Sequence, residues 1–254
     1  MRRIQSRDER RSDGQRSKHR FGVVMITLYH HAFCPHSRFV RLALGEMGLE
    51  LKLIEERAWE RRREFLLIAA EGATPVAIVD AGAVLPGAEV ITEYLDETLG
   101  VGLGERRLLP DDPAGRAEAR RLVAWFNVKF FNEVSHWLVQ EKVYKRFMSA
   151  ANGGGGPDMQ AVRAARSNLR YHLRYIGHLI KARNWLAGDR LTYADLAAAA
   201  HLSCLDYLGD VQWEESETAR IWYARVKSRP SFRPLLAERL PGTAPSPTYA
   251  DLDF

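Results

Sequence analysis

The sequence predicts an α/β plus all-α chain, a small mixed sheet with helices followed by a purely helical part. Three observations carry this. Strand-like runs alternate with helical periodicity only before about residue 100. A Gly-, Pro- and Asp-rich stretch at 100–113 follows, and beyond it apolar residues recur only at helical spacing. The 254 residues are 46% hydrophobic and 27% charged, which supplies a sizeable core and excludes a wholly disordered or collagen-like polymer.

Residues 26–29 read as the first strand. A helix follows to about Met47, with Val40, Leu42, Ala43, Leu44 and Met47 as its apolar set and Gly48 as its stop. A second strand spans 51–54. The charged stretch 55–64 then carries Trp59 beside Arg61, Arg62 and Arg63. Strands at 74–79 and 83–85 flank a turn at Asp80-Ala81-Gly82, and a helix covers about 88–99. The domain reading is a disordered basic leader at 1–24, an α/β domain at 25–100, a linker at 101–113, an all-helical domain at 114–239 and an extended tail at 240–254. Helices are expected at about 114–150 (with room for a break or bend), 158–183, 193–208, 214–228 and 231–239. The glycine run at 153–156 is a spacer, because it follows no strand and no Lys-Ser/Thr pair follows it. Thr192 and Asp195 have capping-box spacing before a run of alanines. The same pentapeptide, Thr-Tyr-Ala-Asp-Leu, recurs at 248–252, where too few residues remain to nucleate a helix.

Charge is unevenly placed. The formal +5 lies wholly in residues 1–24, which hold eight basic and three acidic side chains, and the remaining body is neutral with 29 of each. The leader lacks the apolar segment of a secretory signal, and its acids argue against a transit peptide. It is read as a mobile arm, most simply an extension without function. No run of roughly 18 apolar residues is present, so no membrane insertion is expected. Nucleic acid is not expected as a partner. Two cysteines, Cys34 and Cys204, provide no disulfide framework, and a reducing cytoplasm is the expected setting.

Cys34 heads a helix, where unpaired N–H groups and the helix dipole favour a thiolate. The plain alternative is a small buried hydrophobe. His30, His31, Cys34 and His36 are metal-type ligands, but consecutive strand residues face opposite sides, so no metal site is expected.

Cys34-Pro35-His36-Ser37 at a helix start, Thr74-Pro75 before a strand, Ile91, Tyr94 and Leu95, and Gly188 with the 192–195 cap together resemble the cytosolic glutathione S-transferases over about residues 25–239. The resemblance implies a thioredoxin-like N-terminal domain and a helical C-terminal domain, with Thr74-Pro75 as a cis-proline turn. Glutathione-using members carry an acidic or Gln residue and then Ser where this chain has Gly87 and Ala88. Losing two charge-assisted hydrogen bonds of roughly 1.5–3 kcal/mol each leaves glutathione poorly held. Cys34, Thr74, Pro75, Gly87 and Ala88 are thus read as a vestigial glutathione site, with no cofactor and no catalytic residue expected. The alternative is a glutathione-dependent thiol transferase that uses Cys34.

Further residues narrow the resemblance. Residues 28–31 with 34–38, 141–148, 187–196, 227–234 and 249–254 are similar to the FtsZ-localised, glutathione-S-transferase-like division proteins of alphaproteobacteria. That similarity implies a homodimeric, non-catalytic, cytoplasmic protein at the division site that binds FtsZ filaments and curves or bundles them. Candidate partner-binding residues are Trp59, Glu141, Lys142, Lys145 and Arg146, and in the tail Tyr249, Asp251, Leu252, Asp253 and Phe254. Glu141, Lys142, Lys145 and Arg146 are expected on one helix face, which equally suits a solvated face with a Glu141–Lys145 pair. Trp59 is expected beside the ligand cleft, although on general grounds an ordinary packed indole with a solvated basic run is the favoured reading. The tail closes with an aromatic and aliphatic stripe that wants a groove, on its own domain or on a partner.

Overall fold

A computed structural model of the chain describes residues 25–79 and 82–252. The basic leader at 1–24, the turn residues Asp80 and Ala81, and the last two candidates, Asp253 and Phe254, lie outside the described residues.

Four strands form one mixed sheet in the order β2-β1-β3-β4: β1 Ile26–His30, β2 Leu51–Glu55, β3 Val76–Ile78 and β4 Val84–Pro86. β1 pairs parallel with β2 and antiparallel with β3, and β3 pairs antiparallel with β4. The parallel pair needs a crossover, supplied by helix α1, Pro35–Met47. Cys34 caps α1, Pro35 stands at its first turn, and Gly48 ends it at φ 73°, a conformation that glycine adopts without a Cβ penalty. Helices α2 (Arg63–Ile68) and α3 (Ala88–Leu103) complete this half.

The helical half contains α4 Pro113–Ala124, a wide-turn π-helical stretch Trp125–Ser135, and α5 His136–Lys142. Then come α6 Met159–Ala182, α7 Tyr193–Tyr207, α8 Glu217–Lys227, α9 Arg233–Leu236 and the single turn α10 Pro247–Ala250. Every residue of α7 is buried, and its alanine-rich surface lets α1 pack along it. The predicted capping box is present, with Thr192 N–H donating to Asp195 at 3.0 Å. Asp195 also receives the Leu186 N–H and the Trp222 indole, so the cap ties three segments together. The core is continuous across both halves, from Ile26 and Leu28 through Phe39 and Leu42 to Leu196 and Trp222.

The structure corrects several expected boundaries. The 101–113 linker starts late, because α3 continues to Leu103 and a 3-10 turn covers Gly104–Arg106. Gly100 belongs to that helix. A Cβ there would stand 2.7 Å from Asp96 Oδ1 and 3.0 Å from Arg107 Nε, within a buried ion pair. The helix expected over 114–150 ends at Lys142, and 3-10 turns at Tyr144–Arg146 and Ala150–Asn152 follow it. The 231–239 helix is a 3-10 turn at Pro230–Phe232 followed by the short α9. The tail is not simply extended. Pro247 starts α10 with its φ already set for a helix, and Tyr249, fully buried, anchors that turn. Burial supplies the stability that length alone does not.

Candidate functional site

The loop from β1 to α1 brings Cys34 to the floor of a cleft of about 280 Å³ between the two halves. His31, Pro35 and His36 line it from this loop, Trp59 and Thr74 from the rest of the sheet domain, and Phe131, His136 and Tyr144 from the helical half. The Thr74-Pro75 bond is cis, as the resemblance implies.

Cys34 Sγ accepts the Ser37 N–H at 3.4 Å and, as a thiol, donates to the Thr74 carbonyl at 3.4 Å. Burial pushes this thiol up, but the His36 ring and the Ser37 donors outweigh burial and bring it down to about 7. His36 is held by geometry. Its Nε2 lies 2.9 Å from the Asn127 carbonyl, which can only accept, so Nε2 carries a proton. Burial pulls His36 down, while Cys34, the Asn127 carbonyl and Glu89 raise it, and the net direction is up. Asn127 comes from the wide-turn stretch, a helix form that recurs at functional sites. Its side chain bridges Glu89 of α3 at 3.2 Å and His201 of α7 at 3.2 Å.

His31, Trp59 and Tyr144 form an aromatic triangle across the cleft, with ring centroids 4.8–5.1 Å apart. Burial first, and then Arg57 and Arg38, lower His31 to about 4, so it is neutral at physiological pH. Trp59 Nε1 is buried without a hydrogen-bond partner. Tyr144 donates to the Phe33 carbonyl at 3.3 Å. Trp59 therefore lines the cleft, as its place in the sequence suggested. His36 and Tyr144 also line the cleft, and neither was among the candidate binding residues read from the sequence. The readable signal for His36 was its place two residues after Cys34. Tyr144 had none, since its partner Phe33 is 111 positions away.

Gly87 and Ala88 stand at the start of α3. Gly87 caps α3 at φ 86° with no side-chain hydrogen bond, and its N–H donates to the Pro75 carbonyl at 2.9 Å. Ala88 is buried and offers no hydroxyl. A γ-glutamyl carboxylate thus finds no side-chain partner at these two positions, and the site does not fit glutathione well. Among the described residues no three His, Cys, Asp or Glu side chains are grouped to hold a metal ion.

Of the other candidates, Glu141, Lys142, Lys145, Arg146 and Tyr249 are engaged within the chain. The shared helix face does not exist, because α5 ends at Lys142. Glu141 is buried and accepts from Lys145 at 2.5 Å and from the Asp158 N–H at 2.7 Å. Lys142 pairs with buried Asp210 at 2.7 Å, which Arg166 also contacts. Arg146 donates to Thr243 and, at 3.2 Å, to the Gly242 carbonyl. In the tail, Tyr249 is buried in a groove of the body, whereas Asp251 and Leu252 are exposed. The tail stripe is thus divided, one ring inward and the following leucine outward. Arg61 and Arg63 are exposed, while Arg62 pairs with buried Glu56 at 2.5 Å. No described helix is long and apolar enough to cross a membrane.

Comparison with known proteins matches the architecture. The family model described as glutathione S-transferase, N-terminal domain, fits residues 28–101, and its C-terminal counterpart fits residues 154–239. FtsZ-localized protein A of Caulobacter vibrioides is 47% identical over 231 residues, covering 90% of this chain and 98% of that protein. A crystal structure of a Sinorhizobium meliloti glutathione S-transferase is 53% identical, with a TM-score of 0.88 over 91% of this chain and all of that one. The structure of FzlA from C. crescentus is 46% identical, with a TM-score of 0.84 over 91% of this chain and 100% of that one. By both of its domains the chain belongs to the glutathione S-transferase family.

Proposed function

We propose that this protein is a cell-division factor that binds FtsZ filaments at the division site, as a homodimer, and curves or bundles them without catalysis. The observation that carries this is the end-to-end similarity to FtsZ-localized protein A, at 47% identity over 98% of that protein. The changed anchor at Gly87 and Ala88 supports a role that does not depend on glutathione. The exposed Arg61 and Arg63 beside Trp59 suit an acidic filament, and Leu252 near the end of the tail is exposed.

Sedimentation and imaging of FtsZ polymers with and without the protein test this reading. Co-sedimentation that survives Cys34→Ser and weakens in an Arg61→Glu/Arg63→Glu variant is the expected result. Absence of FtsZ binding by a folded dimer refutes it. Lys142 and Lys145 are poor choices for charge reversal, since both hold buried carboxylates and their loss would disturb the fold.

A second reading, a thiol transferase using Cys34, is favoured by one observation: Cys34 caps α1 within the cleft, and its sulfur accepts the Ser37 N–H at 3.4 Å. Retention on immobilised glutathione, with activity abolished in Cys34→Ser, would establish it over the first.

A further inference from the structure

The cleft and the C-terminal tail share one piece of chain, the loop Ala32-Phe33 that leads into Cys34. Phe33 is buried, and its ring lies 4.7 Å from that of Tyr207. Tyr207 in turn lies 4.9 Å from the ring of Tyr249 in the tail. A second route runs through Arg38, which is fully buried. Its Nε donates to the Ala32 carbonyl at 2.7 Å, and its guanidinium sits 4.7 Å from the Phe33 ring centroid and 6.0 Å from that of Tyr249. The Phe33 carbonyl receives the Tyr144 hydroxyl from the cleft side and the Cys204 thiol, at 3.6 Å, from α7. Phe33, Val139, Val143, Cys204, Tyr207, Leu240 and Tyr249 make an apolar cluster of their own, separate from the main core.

The tail is fastened over this cluster by specific bonds. Ser246 N–H donates to the Tyr207 carbonyl at 2.9 Å, and its hydroxyl donates to the Asp206 carbonyl at 2.5 Å. Thr248 donates to Asp206 Oδ1 at 2.7 Å, and buried Lys227 donates to the Thr248 carbonyl at 2.7 Å. The Tyr249 hydroxyl donates to the Leu235 carbonyl at 2.7 Å. Past this fastening the chain turns outward, and Leu252 is 40% exposed. A partner that engages the exposed residues 250–252 therefore loads residues 246–249 when it pulls.

We propose that the C-terminal segment is a latch on the loop that leads into Cys34, so that a partner drawing residues 246–252 off the body loosens Phe33 and opens the cleft. This goes beyond the FtsZ reading and does not depend on it. The coupling is reciprocal: anything that wedges the cleft open by moving Phe33 weakens the hold on the tail.

The test is the rate at which a maleimide labels Cys34 in the native protein, resolved by peptide mass spectrometry. It is read in the wild type, in Tyr249→Phe, in Tyr249→Ala and in a chain ending at Pro245. Losing the whole ring empties a packed site, so Tyr249→Ala and the truncation are expected to speed Cys34 labelling by about tenfold or more. Tyr249→Phe keeps the ring and loses one hydrogen bond, so a rise of about fivefold is expected. Amide exchange in α3, which takes part in none of the hydrogen bonds that fasten the tail, is expected to speed up less than Cys34 labelling does in each variant. Two results overturn the proposal. One is an unchanged Cys34 rate in the truncated chain. The other is global loosening, with Cys204 and the α3 amides opening in step with Cys34, which would make the tail a general support.

Discussion

The two cysteines flank the same residue, Phe33, and their surroundings treat them oppositely. Cys34 lies at a helix start, with the Ser37 N–H and the His36 ring to receive a negative charge, and its thiol falls to about 7. Cys204 lies inside α7, where the backbone N–H groups are spent on the helix and its sulfur faces a carbonyl, and burial pushes its thiol up to about 12. Both are buried. Burial therefore does not decide reactivity; the supply of donors does. The same contrast divides the regions around them. The cleft keeps an indole N–H with no partner, whereas Ser246, Thr248 and Tyr249 of the tail each spend their hydroxyls on the body. One region is built to meet something, the other to stay shut.

The largest expected effect tests the closed region. Tyr249→Ala should cost about 3–5 kcal/mol in urea denaturation, since it empties a fully buried aromatic site. A loss below about 1 kcal/mol would mean that the tail rides on the body without supporting it.

The next effect sets the two thiols against each other through pH. Cys34 ionises more easily in the folded state, so its stabilisation is full above the ordinary thiol range and is lost as pH falls through about 7. Cys204 is the reverse: its contribution is full below the ordinary thiol range and is lost as pH rises toward about 12. The stability gap between wild type and Cys34→Ser should therefore widen from neutral to mildly alkaline pH, with a slope of at most about 1.4 kcal/mol per pH step of one. Relative to Cys204→Ser, the gap should narrow above the ordinary thiol range. Denaturation curves across that range distinguish the two slopes.

A smaller change isolates the donor. His36→Gln should move the Cys34 titration midpoint up by about one pH unit, read from the ultraviolet absorbance of the thiolate, while leaving Cys204 in place. An unchanged midpoint would assign the lowering to Ser37 and the helix end alone. The smallest effect belongs to the open region. Trp59→Phe removes an N–H that has no partner, so its cost should stay within about 1 kcal/mol by thermal or chemical denaturation.

What could be read ahead of the structure was what lies close in sequence. Cys34 with Pro35 marks a helix start, Thr192 with Asp195 marks another, and Gly48 marks a stop, because caps are local chemistry. The changed anchor at Gly87 and Ala88 was legible by comparison with a known motif. The charged residues at and after the end of α5 were not. Lys142 finds Asp210 across 68 positions, and Arg146 finds Thr243 across 97. A residue's type gives no hint of such a distant partner, so cations that look free in the sequence are spent in the fold. Tyr249 was legible as a ring in need of a groove, but the single helical turn that delivers it comes from tertiary burial.

The sheet has one further consequence, for crowding. Its outer strands are β2 and β4. β2 carries Lys52 and Glu55, and β4 is three residues long and ends in Pro86. Charge, brevity and proline are the features that keep an open strand edge from templating another chain. Copies crowded together would then meet through side chains, and the sheet of one would not zip into the next.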